Sequence, residues 1–162
     1  MHQSGQAHDH QAMSSMHYRH LAIMIALSFI AMYFLMYAMV DAWPNVFMNF
    51  NQVYMAGLMT AAMVVIELGV MWSMYPNKRL NWIVIGVGVA ALVAFFLFIR
   101  QQTLIGDSQF LRSMISHHAS AILMCKQASL RDPDIERLCR EIIANQESEI
   151  EQMKAKLSQP AA

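Results

Sequence analysis

The chain has 162 residues, of which 57% are hydrophobic and 14% are charged, whereas ordinary soluble domains contain roughly 25% charged residues. Residues 21–99 carry four charged side chains and residues 107–156 carry fifteen, which predicts a lipid-facing segment followed by a water-facing one. The formal net charge is zero and the basic residues form no run, which argues against nucleic acid as a partner. The sixteen methionines are the strongest compositional signal.

Three stretches are apolar enough to cross a membrane, since a bilayer core about 30 Å thick requires roughly 20 apolar residues in a helix. The predicted spans lie at about residues 21–40, 53–75 and 82–99, within a membrane region of residues 21–100. The first is longer than the roughly 7 to 15 apolar residues of a signal peptide and lacks its basic start, so we expect it to be retained. Residues 1–20 form a tail that carries His and Met.

The short turn between the second and third predicted spans decides the orientation. It contains Lys78 and Arg79, whereas the loop between the first two spans has no basic residue. The positive-inside rule therefore places this turn and the amino-terminal tail in the cytoplasm. By alternation, everything after Arg100 is predicted to lie outside the cytoplasmic membrane.

Two amphipathic helices are predicted beyond the last span, at about residues 108–129 and 133–157. Asp132 suits the N-cap of the second helix, and Pro133 suits its first turn because no amide hydrogen is needed there. The chain is therefore predicted to be all-α, with three transmembrane helices followed by a helical hairpin domain of residues 107–157. A hairpin of about 50 residues buries too little to be stable alone, so we expect it to form a four-helix bundle as a homo-oligomer, or to dock on its own membrane helices.

One face of each hairpin helix collects soft and polar side chains. On the first helix, an arc of about 120° contains Met114, His117, His118, Ala121, Met124 and Cys125. The matching arc of the second helix contains Ile135, Cys139, Ile142, Ile143, Gln146, Glu149, Ile150 and Met153. Antiparallel pairing places Cys125 level with Cys139 and His118 level with Gln146, so these faces are predicted to meet inside the hairpin.

These side chains have the chemistry of a site for a soft metal ion, because thioether and thiolate sulfur favour Cu(I) and its analogue Ag(I). The predicted ligands are Met114, His117, His118 and Met124, then Met153 and Cys125, with Gln146 and Glu149 orienting the imidazoles. The alternative is that the methionines fill the core and a histidine only hydrogen-bonds to Gln146 or Glu149. The two cysteines either form a disulfide, which leaves a His and Met site, or stay reduced and contribute thiolates.

The hairpin resembles a known family. The runs FLRSMISHHASAILMCKQ, from Phe110 to Gln127, and IERLCREIIANQESEIEQM, from Ile135 to Met153, are similar to the bacterial domain of unknown function 305 family, a ferritin-like helical group with members implicated in copper binding. The family's Met, His-His, Ala-Ile and Met pattern matches Met114, His117, His118, Ala121, Ile122 and Met124. Its later Gln, Glu-Ile and Met pattern matches Gln146, Glu149, Ile150 and Met153. The resemblance covers about the last third of the chain and implies copper handling outside the cytoplasmic membrane.

The sequence also departs from the family pattern. Many members have small residues where Cys125 and Cys139 stand, and an aromatic residue near Lys156. Larger members carry more than one hairpin, so a site that is complete in one chain there requires two chains here. A ferritin-like bundle can hold two irons through Glu-x-x-His motifs, but this chain has no such motif, no Gly-rich phosphate loop and no nucleophile elbow. We therefore expect no enzyme and no organic cofactor.

Further candidates lie in the membrane and in the tail. Met55, Met59 and Met63 lead to Glu67 at steps of four, which is typical either of a path for a soft cation or of ordinary helix packing. A carboxylate within a span is costly and usually functional. In the tail, weak copper donors are predicted at His8, His10, Met13, Met16 and His17, the alternative being a disordered segment whose histidines bind nothing.

Together these features predict a membrane-anchored protein that binds Cu(I) or Ag(I) for copper sequestration, trafficking or tolerance, alone or with other copper-handling proteins. Its expected location is the bacterial inner membrane, with the hairpin in the periplasm. One alternative is an oligomeric transport subunit that uses the Met row and Glu67. Another is a structural or assembly factor whose hairpin docks on a partner helix.

Overall fold

The computed structural model describes the backbone of residues 3–159 and the side chains of residues 16–159. Over this range the chain is entirely helical, without a β-strand, which confirms the predicted fold class. The helices are α1 (Gln3–Leu35), α2 (Phe50–Val70), α3 (Lys78–Gln101), α4 (Asp107–Gln127) and α5 (Pro133–Leu157). Two short 3-10 helices, Met36–Met39 and Trp43–Asn45, lie between α1 and α2.

Within the described residues, three segments are long and apolar enough to cross a membrane: Met16–Met39, Phe50–Val70 and Lys78–Gln101. They match the three predicted spans with shifted ends. The second span ends at Val70, five residues before the predicted end, so Glu67 lies in its last turn. The third begins at Lys78 because the Asn77 side chain accepts a hydrogen bond from the Leu80 amide at 3.0 Å, as a helix cap does.

The chain divides into two compact units. The first comprises the residues up to Tyr33 together with Tyr54–Gln101. Its core contains Leu21, Val64, Leu68 and Tyr75. Beside it, the fully buried Asn81 accepts a hydrogen bond from the Tyr18 hydroxyl at 2.6 Å and donates one to the Tyr75 carbonyl at 3.1 Å. A buried amide is stable there because both of its ends are paired.

The second unit comprises Phe34–Val53 and the chain from Gln102 onward. Its core is formed by Ile115, Ala119, Ile122 and Ile150, with Val40 and Phe47 packed against it. The segment Phe34–Val53 therefore covers one side of the α4–α5 hairpin, a contact that no sequence pattern predicted.

Asn45 connects this segment to both helices of the hairpin through hydrogen bonds. Its carbonyl accepts a hydrogen bond from the Ser116 hydroxyl at 3.2 Å, and its side-chain oxygen accepts one from the Lys154 ammonium. The side-chain nitrogen of Asn45 donates to Asp41 at 2.7 Å. Because Asn45 is buried, these bonds satisfy polar groups that would otherwise destabilise the interface.

The start of α5 is capped as predicted, since Asp132 accepts hydrogen bonds from the amides of Asp134 at 2.8 Å and Ile135 at 3.4 Å. Asp132→Ala removes a cap worth about 1 kcal/mol. We expect the first-turn amides of α5 to exchange hydrogen roughly fivefold faster in the detergent-solubilised chain. Asp132→Asn, which also caps helices, serves as the control and should exchange like the wild type. Equal exchange in the Ala variant would contradict the assigned cap.

Candidate metal site

A pocket of about 220 Å³ lies between α4 and α5, on the side away from the turn of the hairpin. Its lining consists of Phe110, Leu111, Met114, His118, Glu149, Gln152 and Met153. Met114 and His118 are one helical turn apart on α4, and Glu149 and Met153 are one turn apart on α5. The pocket thus brings together two thioethers, one imidazole and one carboxylate from both helices.

His118 is held in one orientation by both of its ring nitrogens. Nδ1 lies 2.8 Å from the backbone carbonyl oxygen of Met114, and Nε2 lies 2.6 Å from a carboxylate oxygen of Glu149. A carbonyl oxygen only accepts, so Nδ1 carries the proton in this bond. In a neutral ring, Nε2 is then the nitrogen with a free lone pair, which is the usual arrangement of a metal-binding histidine.

Glu149 lies where an ion bound to Nε2 would sit. The His118 side chain is only 9% exposed, whereas the Glu149 side chain is 53% exposed. When the ring is doubly protonated, the two side chains form an ion pair. When the ring is neutral, the exposed carboxylate can turn toward water and leave Nε2 open to the pocket. A cation and a proton therefore compete for the same position.

Among the described side chains, no three His, Cys, Asp or Glu residues are grouped so that they could hold a metal ion. The candidate site therefore depends on the sulfur atoms of Met114 and Met153 beside His118. Thioether sulfur is a soft donor that prefers Cu(I) among biological ions.

The structure corrects the predicted inward arc of α4. His117 is exposed, and so is Met124, with 52% of its surface accessible. The His117 ring lies 6.0 Å from the His118 ring, centroid to centroid, and does not line the pocket. The reason is that α4 packs against two neighbours, α5 on one side and Phe34–Val53 on the other.

The buried face of α4 consequently centres on Ile115, Ala119 and Ile122, none of which belongs to the predicted inward arc. The spacing of Ile115 and Ile122, seven residues apart, was a detectable signal for this face. Phe110 and Gln152 also line the pocket, and neither was predicted as a site residue.

Cys125 is bonded to Cys139 in a disulfide, with Cα atoms 5.3 Å apart. Of the two alternatives left open by the sequence, the structure has the oxidised one, in which Cys125 offers no thiolate to a metal ion. Gln146 does not line the pocket. Its side-chain oxygen is buried without a hydrogen-bond partner among the described residues. Of the two residues predicted to orient an imidazole, only Glu149 contacts His118, whose other ring nitrogen bonds to the Met114 carbonyl.

The candidates on α2 differ in their exposure. Met55 and Met59 are 39% and 42% exposed, whereas Met63 packs on the core of the first unit. Glu67 accepts a hydrogen bond from the Tyr75 hydroxyl at 3.5 Å. Burial, and then the charge of Glu67, raises the pKa of Tyr75, which keeps this hydroxyl protonated as a donor.

The tail candidates are only partly described. His8, His10 and Met13 lie outside the described side chains. Met16 is exposed, and the His17 ring lies 6.3 Å from the Tyr75 ring, centroid to centroid.

Over the part of the chain that the structure describes, these features define an all-helical protein with three helices long and apolar enough to span a membrane, followed by a helical hairpin with a thioether and imidazole pocket. Residues 101–157 match the model of the family described as Domain of unknown function (DUF305). The chain is also 30% identical over 145 residues to an uncharacterized protein of Acanthamoeba polyphaga mimivirus, an alignment that covers 86% of this chain and 91% of the viral protein. The chain belongs to the DUF305 family.

The viral alignment is much longer than the DUF305 match, so the similarity extends into the apolar helices ahead of the hairpin. No solved structure gives a significant match to the chain. The family resemblance inferred from the hairpin motifs is thereby confirmed, over nearly the same residues as expected.

Proposed function

We propose that this protein is a membrane-anchored binding protein for Cu(I) or Ag(I), acting in copper sequestration, trafficking or tolerance. The observation that carries the proposal is the pocket in which Met114, Met153 and His118 converge. Two thioethers and one imidazole offer a monovalent soft ion three donors, whereas Mg²⁺ and Ca²⁺ require six or more oxygen ligands. The protein holds the ion and performs no reaction on it, and it needs no organic cofactor.

We place the protein in the bacterial inner membrane, with the hairpin in the periplasm. Two observations support this topology. Lys78 and Arg79 are the first two residues of α3, next to the turn between the second and third apolar helices, and basic residues favour the cytoplasmic side. The Cys125–Cys139 disulfide in the hairpin suits an oxidising compartment. A periplasmic hairpin would meet copper outside the membrane and pass it to other copper-handling proteins.

The affinity of the pocket for Ag(I) is expected to fall as the pH falls, because a proton competes with the ion for Nε2 of His118 and the protonated ring pairs with Glu149. One competing proton gives at most about a tenfold loss per pH unit. The measurement is a titration of the full oxidised chain in detergent with Ag(I) against a competing chelator, from pH 8 to pH 5.

The matched variants for this titration are His118→Gln and His117→Gln. The first should weaken binding at pH 8 and remove the pH dependence of the pocket, because thioethers do not take up protons in this range. The second should retain both properties, because it leaves the His118 ring and both thioethers of the pocket in place. If the two variants behave alike, or if the wild type binds silver no more tightly than His118→Gln, the proposed site is wrong.

We also propose that a second copy of the chain covers the open face of the hairpin. On this face, each of the two helices carries a stripe of residues spaced alternately by three and four positions. This spacing is typical of helices that pack in bundles. The α4 stripe is Phe110, Met114, His117, Ala121 and Met124, and the α5 stripe is Ile135, Leu138, Ile142, Asn145 and Glu149. The large apolar members Phe110, Met124, Ile135 and Leu138 are between 47% and 54% exposed.

The charges of this face favour a copy of itself as the occupant. Each hairpin offers the exposed imidazole of His117 from α4 and the half-exposed carboxylate of Glu149 from α5. A two-fold axis along the hairpin would set His117 of one copy against Glu149 of the other, twice, which is the self-complementarity that a symmetric dimer requires. The apolar residues would meet at the turn end.

Leu138→Glu is expected to convert a dimer in detergent into a monomer. The substitution places a carboxylate from each copy among the apolar residues that meet at the turn end, so two like charges face each other there. The mass of the protein in the micelle, from light scattering, is the measurement. Arg137→Glu, on the neighbouring exposed position outside the stripe, is the control and should leave the dimer intact. A monomeric wild type would refute this arrangement.

A further inference from the structure

The two cysteines lie apart from the thioether pocket. Cys125 follows His118 by seven residues on α4, which at 1.5 Å per residue is about 10 Å along the helix axis. The disulfide borders its own open cleft of about 320 Å³ at the turn end of the hairpin. The pocket and the disulfide are therefore two separate places on the hairpin, each with sulfur-bearing side chains from both α4 and α5.

We infer that Cys125 and Cys139, once reduced, form a second binding site for one soft monovalent ion, so that the hairpin holds one more ion in its reduced state than in its oxidised state. This inference rests on the proposed function, because it assigns a second site for the same class of ion. The observation that supports it is that two sulfur atoms from two different helices lie together beside an open cleft.

The chemistry balances with a small dithiol as the reductant. The dithiol gives two electrons and two protons to the disulfide, becomes a cyclic disulfide, and leaves Cys125 and Cys139 as two thiols. One Cu(I) or Ag(I) then binds both sulfur atoms and releases two protons, giving a bis-thiolate complex with one net negative charge. Thiolates are stronger ligands for these ions than thioethers.

The surroundings suit such a complex. Once the bond is broken, rotation of each side chain about χ1 separates the sulfur atoms enough to admit an ion, and the cleft gives room on one side. Arg140 and Glu136 both line this cleft and form a loose ion pair at 3.8 Å, so the guanidinium is positioned to hydrogen-bond to a thiolate while the net charge of the pair is zero. Leu130 and Ile143 line it as well and shield the sulfur atoms from part of the solvent.

Other interactions hold α4 and α5 together when the disulfide is reduced. His118 pairs with Glu149, and Lys126 pairs with Glu147 at 2.9 Å. The core residues Ile115, Ile122 and Ile150 pack between the helices and against Phe34–Val53. Both cysteines therefore stay close to each other in the reduced protein.

The test counts Ag(I) ions bound per chain, by native mass spectrometry of the full protein released from detergent, in oxidised and reduced forms. Reduction uses a dithiol that is removed without oxygen before silver is added. We expect the reduced wild type to bind one ion more than the oxidised wild type. Cys125→Ser with Cys139→Ser should show no such gain after the same treatment. With Cu(I), the gain should come with a thiolate-to-copper absorption band, which thioethers cannot produce.

The variant Met114→Leu with Met153→Leu separates this inference from the proposed function. It should still gain one ion on reduction, although it lacks the ion of the pocket. If the oxidised wild type and the oxidised methionine variant bind the same number of ions, the proposed metal pocket is wrong, and this result does not bear against the cysteine site. If the reduced wild type binds no more silver than the serine variant, the cysteine site is refuted. Loss of helical circular dichroism on reduction without a gain in silver would refute it as well, since the disulfide would then only stabilise the fold.

Discussion

Replacing Met114 and Met153 together by leucine is expected to lower the affinity of the oxidised chain for Cu(I) by about 100-fold or more, since even groups that only support a metal ligand contribute 10- to 100-fold. Both thioethers line the pocket beside His118. Leucine has nearly the volume of methionine, so packing is preserved. The measurement is a competition titration with a Cu(I) chelator, combined with circular dichroism to check the helical content.

Met124→Leu is the matched control for this prediction. Met124 belongs to the same family motif as Met114, but it is 52% exposed and does not line the pocket. Its replacement should leave the affinity unchanged. A large loss in Met124→Leu, or an unchanged affinity in the double variant, would show that the ion binds elsewhere in the chain.

Replacing Cys125 and Cys139 together by serine is expected to lower the free energy of unfolding of the hairpin by about 3 kcal/mol, because the bond closes a loop of about 15 residues. The sequence separation of the two cysteines is 14. Most of the effect arises in the unfolded chain, which gains conformational freedom when the cross-link is removed. Hydrogen exchange of the core amides of α4 and α5 in the full chain measures this loss.

Lys126→Gln is the control for the disulfide prediction. Lys126 donates to Glu147 at 2.9 Å at nearly the same level of the hairpin, and this bond raises the pKa of the lysine. Both side chains are about half exposed, so solvent screens the pair and its removal should change exchange only slightly. If the two variants exchange equally fast, the disulfide does not stabilise the hairpin as expected.

The proposed site combines a fixed part with a movable part. The ring of His118 is buried and held by the Met114 carbonyl, whereas Glu149, on the opposite nitrogen, is half exposed. A rigid imidazole keeps the cost of ordering the site low. An exposed carboxylate that can leave Nε2 makes release of the ion responsive to protonation. Such a site suits a protein that takes up copper and hands it on.

Local chemistry explains why much of the fold was predictable from the sequence. The three spans follow from uninterrupted apolar stretches, which only a membrane or a large core accommodates. Asp132 and Pro133 mark the start of α5 because a cap and a missing amide act within one turn. The bounds of α4 and α5 were accordingly predicted to within two residues. The level pairing of Cys125 with Cys139 followed from the antiparallel geometry of a hairpin with a short turn.

The sequence by itself determined the helical class, the number of apolar helices and the soft chemistry of the hairpin, because each depends on residue types and their spacing along the chain. Only the tertiary structure decided which of the predicted ligands converge. The reason is that the rotation of α4 depends on a distant segment, Phe34–Val53, which packs on Ile115 and Ile122. That contact turns His118 and Met114 toward α5 and leaves His117 and Met124 in solvent, a choice that the periodicity of a single helix does not contain.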